Sequence, residues 1–220
     1  MNSRRPVFIT GGTGYLGRPL ISALLERGHE VRALVRPGSE NKLPVGCTTI
    51  VGDALDSTSY VSQIPPAETF VQLVGVSHPS PSKAAQFRAI DLASGRSAIQ
   101  SAIQARIQNF VYLSVAHPAP VMKAFIEVRT ECETILRQTS MNVTIVRPWY
   151  VLGPGHRWPY FLTPVYWLME RVPMTRDGAR RLGLVTLAQM TRSLVHAVEN
   201  PPSGSRIVEV PEIRAAGSLA

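Results

Sequence analysis

The sequence predicts a doubly wound α/β fold, a parallel sheet with helices on both faces, and three observations carry that expectation. Short runs rich in β-branched residues alternate with helix-periodic segments between residues 6 and 147. The first of these runs, PVFIT at 6–10, passes straight into Gly11-x-x-Gly14-x-x-Gly17. The chain has 220 residues, 45% hydrophobic and 17% charged, which is enough for one core of ordinary globular composition.

Val7, Phe8 and Ile9 form the first expected strand. Leu16, Leu20 and Leu24, with Ile21 beside them, recur at helical spacing and mark the buried stripe of a helix that ends near Gly28. Strands are then expected at 30–35 (EVRALV), 47–51 (CTTIV) and 68–74 (ETFVQLV). Phe87, Ile90, Ala98, Ala102 and Ile103 give residues 83–107 a helical period. Residues 109–114 (NFVYLS) return to strand, 121–138 to helix, and 142–147 (NVTIVR) to strand. HPSPS at 78–82 and HPAP at 117–120 are loops that follow strands, so they lie at the carboxyl edge of the sheet, where such folds bind ligands. NPPSGS at 200–205 is a further loop. Leu187, Met190, Leu194 and Val198 make an amphipathic helix that leaves His196 exposed, and a final strand is expected near 206–210. Residues 1–155 are read as the nucleotide-binding core and 156–220 as a short substrate-side segment of the same domain.

Composition narrows the function classes. The net charge of +8 comes from scattered basic residues, without a long Lys/Arg run or interleaved aromatics, so specific nucleic-acid binding is not expected. The densest knot, Arg176, Arg180 and Arg181, reads as a solvated loop, with a contact to an anionic substrate or partner as the alternative. Cys47 and Cys132 make neither a disulfide framework nor a metal site, and Cys132 reads as a small buried hydrophobe. Only MNSRR precedes the first strand and no apolar run approaches a membrane span, so a cytoplasmic protein is expected.

The glycine triplet carries the first functional reading. A strand must turn sharply into a helix; the first glycine permits the turn, the second lets backbone approach a diphosphate, and the third lets helix and strand pack closely. The helix then points unpaired N–H groups and its positive dipole end at the anion. The second strand ends Leu34-Val35-Arg36-Pro37, with no acidic residue to grip a ribose 2′-hydroxyl. Arg36 can instead pair with a 2′-phosphate, which points to NADP rather than NAD.

Thr10–Gly17, the basic turn after the second strand, Gly52-Asp53, NFVYLS and Arg147-Pro148 together resemble the extended and atypical short-chain dehydrogenase/reductases, in the nucleotide-sugar epimerase-like branch. The resemblance implies a Rossmann fold over residues 6–155. It implies a pyrophosphate seat at Gly11, Thr13, Gly14, Tyr15, Leu16 and Gly17, and an adenine contact at Asp53 and Ala54. It further implies cofactor contacts at Leu73, Val74, Gly75 and Arg129. Taken alone, Asp53 equally reads as a helix cap, although Asp56 or Ser57 is the better cap.

The chain departs from that family at its catalytic pair. Where members carry Tyr-x-x-x-Lys, this chain reads Phe125-x-x-x-Arg129, with Glu133 in its usual place. Phenylalanine cannot donate a proton, whereas Arg129 lies on the same helical face and can still hydrogen-bond a ribose. Ser114 sits where the family's serine is expected, but early, at the strand end. His117, Tyr150 and His156 are the remaining candidate acids, each equally an ordinary loop or packing residue. Two readings stay open: a reductase that draws its proton from another group, as tyrosine-free relatives similar to flavin and bilin reductases do, and a cofactor-binding sensor or assembly protein without chemistry. A nucleotide-sugar epimerase is a third reading, disfavoured because the C-terminal region is short. The apolar run WPYFLTPVYWLMERV at 158–172 is expected to pack on the core or on a second subunit of a homodimer, with a small or flat apolar substrate the alternative occupant of a cleft.

Overall fold

The computed structural model describes residues 4–154 and 176–216. The 158–172 segment and His156 lie outside the described residues. Seven strands form the main sheet: β1 (Pro6–Thr10), β2 (Glu30–Val35), β3 (Thr48–Val51), β4 (Thr69–Gln72), β5 (Asn109–Leu113), β6 (Asn142–Arg147) and, far along the chain, β9 (Ser205–Glu209). Their order is β3-β2-β1-β4-β5-β6-β9, and every pairing is parallel. The chain therefore reverses its direction of winding between β1 and β4, which opens a crevice at the carboxyl ends of those two strands.

The helices are α1 (Gly17–Glu26), α2 (Ala84–Gln86), α3 (Ala93–Gln104), α4 (Lys123–Arg137), α5 (Arg176–Arg181), α6 (Leu187–Glu199) and α7 (Val210–Ala215). Alternation along the strands divides the core in two. Phe8, Phe70 and Phe110 sit in register on one face, with centroids 5.2 Å apart in each successive pair, and α3 and α4 cover them. On the other face Val7, Ile9, Val71 and Val111 pack under Leu20 and Leu24 of α1 and Leu194 and Val198 of α6. Cys132 is fully buried, and His196 is exposed on α6.

Three local expectations are corrected and one element is added. The helix expected over 83–107 is interrupted: α2 runs into a π-helical turn, Phe87–Leu92, before α3 begins. The strand expected at 68–74 ends at Gln72, and Leu73–Val76 leaves the ladder as the loop above the crevice. Arg176, Arg180 and Arg181 lie on the short helix α5 rather than in a loop. A second parallel pair, β7 (Tyr150–Leu152) with β8 (Leu184–Thr186), was not signalled by periodicity, because three residues are too few to show one.

Candidate functional site

The loop from β1 to α1 is built around four glycines. Gly11 adopts φ +77°, and a Cβ there would lie 2.9 Å from the Leu73 carbonyl carbon, so the turn presses directly on the end of β4. Gly17 is packed tightest: its Cβ would stand 2.3 Å from the Gly11 oxygen and 2.6 Å from the Gly12 Cα. Gly12, absent from the spaced motif, is held against Ile21 and Ala33. Gly14 differs. It is exposed, its N–H donates to the Gly11 carbonyl at 3.0 Å, and that oxygen is the nearest atom a Cβ would meet. The space above it faces outward.

Leu16 holds the N-cap position of α1, no side chain caps the helix, and no acidic residue lies in its first turn. Arg18 N–H donates to the Gly14 carbonyl at 3.3 Å, but no side chain answers the positive dipole end, which fits a pyrophosphate. Thr13, Gly14, Tyr15 and Arg18 line a surface cavity there together with Lys42 and Pro154. Beneath the loop runs a buried polar chain without a sequence signature. Thr10 Oγ1 donates to Gln72 Oε1, and Gln72 Nε2 donates to Ser94 Oγ at 3.2 Å.

Arg36 follows β2, is exposed, and makes no ion pair among the described residues. Asp53, after β3, is also exposed; its Oδ1 accepts from the Leu55 N–H at 2.9 Å, which fixes its own turn. Asp56 is the cap of the following turn, accepting from the Thr58 N–H at 3.0 Å, as the sequence suggested. Ala54 is half-buried against the aromatic core.

The catalytic candidates lie further along the same edge, turned inward. Arg129 projects from α4 to the sheet's carboxyl edge, yet is 4% exposed. Its Nη2 pairs with Asp91 Oδ1, and its Nη1 donates to the Leu113 carbonyl at 2.7 Å. Phe125, one turn earlier, lies with its ring centroid 5.1 Å from the guanidinium carbon and packs on Phe87 at 4.9 Å. Burial pushes the Asp91 carboxyl above its ordinary range, and Arg129 pulls it back only in part.

Ser114 is likewise committed to a protein partner, its hydroxyl donating to Glu133 Oε1 at 2.6 Å. Glu133 is wholly buried and accepts as well from Arg147 Nε at 2.9 Å and Arg137 Nη2 at 2.8 Å. Burial opposes its charge, but the hydrogen bonds from Arg147 and Ser114 together prevail and hold the carboxyl below its usual value. His117 Nε2 stands 3.7 Å from Glu133 Oε1, too far for a hydrogen bond. Burial, aided by the Arg147 charge, lowers its pKa and keeps the imidazole neutral. Tyr150 opens β7, half-buried and edge-on to Trp149 at 5.9 Å. Leu73 and Val74 are half-buried and Gly75 exposed, in the loop between the glycine turn and Arg129. Asp91 and Arg147 complete these clusters; Asp91 stood outside every motif, and Arg147-Pro148 marked the end of β6 without showing that its arginine meets Glu133. Among the described residues no group of three or more His, Cys, Asp or Glu side chains is placed to hold a metal ion, and no helix is long and apolar enough to cross a membrane.

Residues 11–157 match the model of a family described as NAD(P)H-binding. Among curated proteins, a 3-beta-hydroxysteroid dehydrogenase of Mycolicibacterium neoaurum is 29% identical over 48% of this chain and 31% of its own length. Photosystem II assembly factor Ycf39 of Cyanophora paradoxa is 26% identical over 64% of this chain and 44% of its own. A 3-diazoavenalumate denitrifying reductase of a Streptomyces species is 25% identical over 90% and 73%. The chain thus spans less than half the length of the first two. Among solved structures, the Bordetella bronchiseptica enzyme WbmH in complex with NAD+ superposes with a TM-score of 0.69 at 20% identity, covering 96% of this chain and 79% of that one. A short-chain dehydrogenase/reductase superfamily protein from Agrobacterium tumefaciens gives 0.68 at 16%, covering 96% and 82%. These structures share the fold.

Proposed function

The chain belongs to the NAD(P)H-binding family, and from that premise we propose that it binds NADP(H) and acts as a reductase of a small or flat apolar substrate without the Tyr/Lys pair. The observation that carries the cofactor half is the outward-facing Gly14 beside an uncapped α1 N-terminus. These amides take the pyrophosphate, Asp53 takes the adenine, and Arg36, exposed and without an ion-pair partner among the described residues, takes the 2′-phosphate. Leu73, Val74 and Gly75 form the wall along the crevice. Arg129 supports that wall through its two Nη groups, which reach Leu113, Val74 and Asp91.

When bound, the nicotinamide supplies a hydride; the chain's own residues orient it and manage the proton. Phe125 has no proton to give, and Ser114 donates to Glu133. His117, in the loop after β5, is the group we assign to proton delivery: protonated by solvent, its imidazolium passes a ring N–H proton to the reduced substrate atom and returns to the neutral form that its lowered pKa favours. A missing general acid costs about 10²–10⁴ in rate, so orientation alone sustains slow turnover. Support for a reductase comes from relatives named as such.

A second reading, a cofactor-binding protein without turnover, is favoured by the internal pairing of Arg129, Ser114 and Glu133, and by the likeness to a protein named as an assembly factor. Calorimetry with NADPH and NADH, followed by NADPH oxidation against quinones, flavins and simple carbonyls, separates the two. Tighter NADPH binding with turnover is expected. Binding without turnover gives the second reading, and no binding of either cofactor overturns both.

A further inference from the structure

No sequence motif marks Asp91, yet the middle of the sheet's carboxyl edge closes on it. It is 1% exposed and lies inside the π-helical turn Phe87–Leu92. One carboxylate oxygen pairs with Arg129 Nη2, and the other accepts the Val76 N–H at 3.1 Å. Arg129 in turn donates to the Leu113 carbonyl at 2.7 Å and reaches the Val74 carbonyl at 3.4 Å. A single ion pair thereby ties the end of β5, α4 and the π turn to the loop after β4. Gly75 lies directly against the pair: a Cβ there would stand 2.3 Å from Arg129 Nη2 and 2.9 Å from Asp91 Oδ1.

Stability is a poor explanation for this arrangement. Two buried ions lose most of their mutual attraction to desolvation, and a well-packed apolar pair of similar volume is often as stable or more so. The helix also accommodates a π turn at this point, a feature that recurs at functional sites. The segment the pair restrains, Val74–Gly75–Val76, borders the crevice where the winding of the sheet reverses.

We propose that Asp91 is a positioning residue for the nucleotide site: through Arg129 and the Val76 amide it holds the loop after β4 in the shape against which the nicotinamide end of the cofactor lies. This rests on the proposed NADP(H) binding. Asp91 touches no ligand atom in this scheme; its effect passes through the loop.

The test is a pair of variants measured for thermal midpoint, NADPH affinity by calorimetry, and the fluorescence emission of bound NADPH, which reports the nicotinamide's surroundings. In Asp91→Leu/Arg129→Met the ions are replaced by an apolar pair of comparable volume. The expected result is cooperative unfolding near the parent midpoint, affinity weakened about ten-fold or more, and altered nicotinamide emission. Parent affinity and emission in that folded variant overturn the proposal. If the double variant does not fold, Asp91→Asn decides. In that variant, weakened binding with changed emission upholds positioning, and unchanged values for both overturn it. A parent protein that binds no NADPH overturns the cofactor reading itself, a result distinct from any difference between variants.

Discussion

Along one sheet edge, the β1–β3 half and the β5–β6 half treat their polar groups in opposite ways. In the first half Gly14, Arg36 and Asp53 are exposed, and the α1 N-terminus carries no cap. In the second, Ser114 and Arg129 are each 4% exposed and Glu133 is fully enclosed, every one joined to a protein partner. Groups of the first kind cost little to the fold, because water serves them. Groups of the second kind are expensive to orphan, since a buried donor or charge without its partner loses solvation and gains nothing. Substitutions should therefore reduce binding in the first half and folding in the second.

The largest effect is expected at Arg129. Arg129→Ala leaves Asp91 buried and unpaired, at a cost of about 3–5 kcal/mol, and should lower the apo thermal midpoint by on the order of 10 °C. A midpoint within about 2 °C of the parent by calorimetry would remove the contrast between the halves.

Gly14→Val tests the open side. The added side chain occupies the space proposed for the diphosphate and presses on one protein atom, the Gly11 carbonyl oxygen 3.1 Å from its Cβ, so NADPH binding should vanish in titration calorimetry while the apo midpoint falls by no more than a few degrees. Retained affinity would move the pyrophosphate elsewhere.

Arg36→Ala is a smaller change of the same kind. NADPH affinity should fall about ten-fold and NADH affinity hardly at all, because only the former has a 2′-phosphate to lose. Equal losses would mean that Arg36 acts through its turn.

The smallest effect is a slope. Glu133 is held below its ordinary pKa, so its contribution to stability is complete above the unfolded value of about 4.3 and is lost as pH falls through the folded value. Urea midpoints of the parent should decline as pH drops below about 4.5, whereas Glu133→Gln, weaker at neutral pH, should show a flatter profile in that window. Parallel profiles would show that Glu133 does not carry this acid sensitivity.

Much of the first half was legible in the residue order. The strand-to-helix glycine spacing, the missing acid at the end of β2 and the role of Asp56 as a cap are local facts, each settled within a few residues. So was the shared face of Phe125 and Arg129, since helical spacing puts residues four apart one above the other. The fate of the second half was not legible. Ser114 meets Glu133 across 19 positions, and Arg129 meets Asp91 across 38. In a helix read alone, Arg129 and Glu133 look like one more charged, solvated turn. Parallel strands become neighbours through crossovers of arbitrary length, so the identity of a buried partner has no period and no spacing. Chain order therefore carries the kinds of element and the glycine-spaced loop that joins β1 to α1. The choice between a ligand and another side chain as the partner of each inward charge belongs to the packing of distant segments.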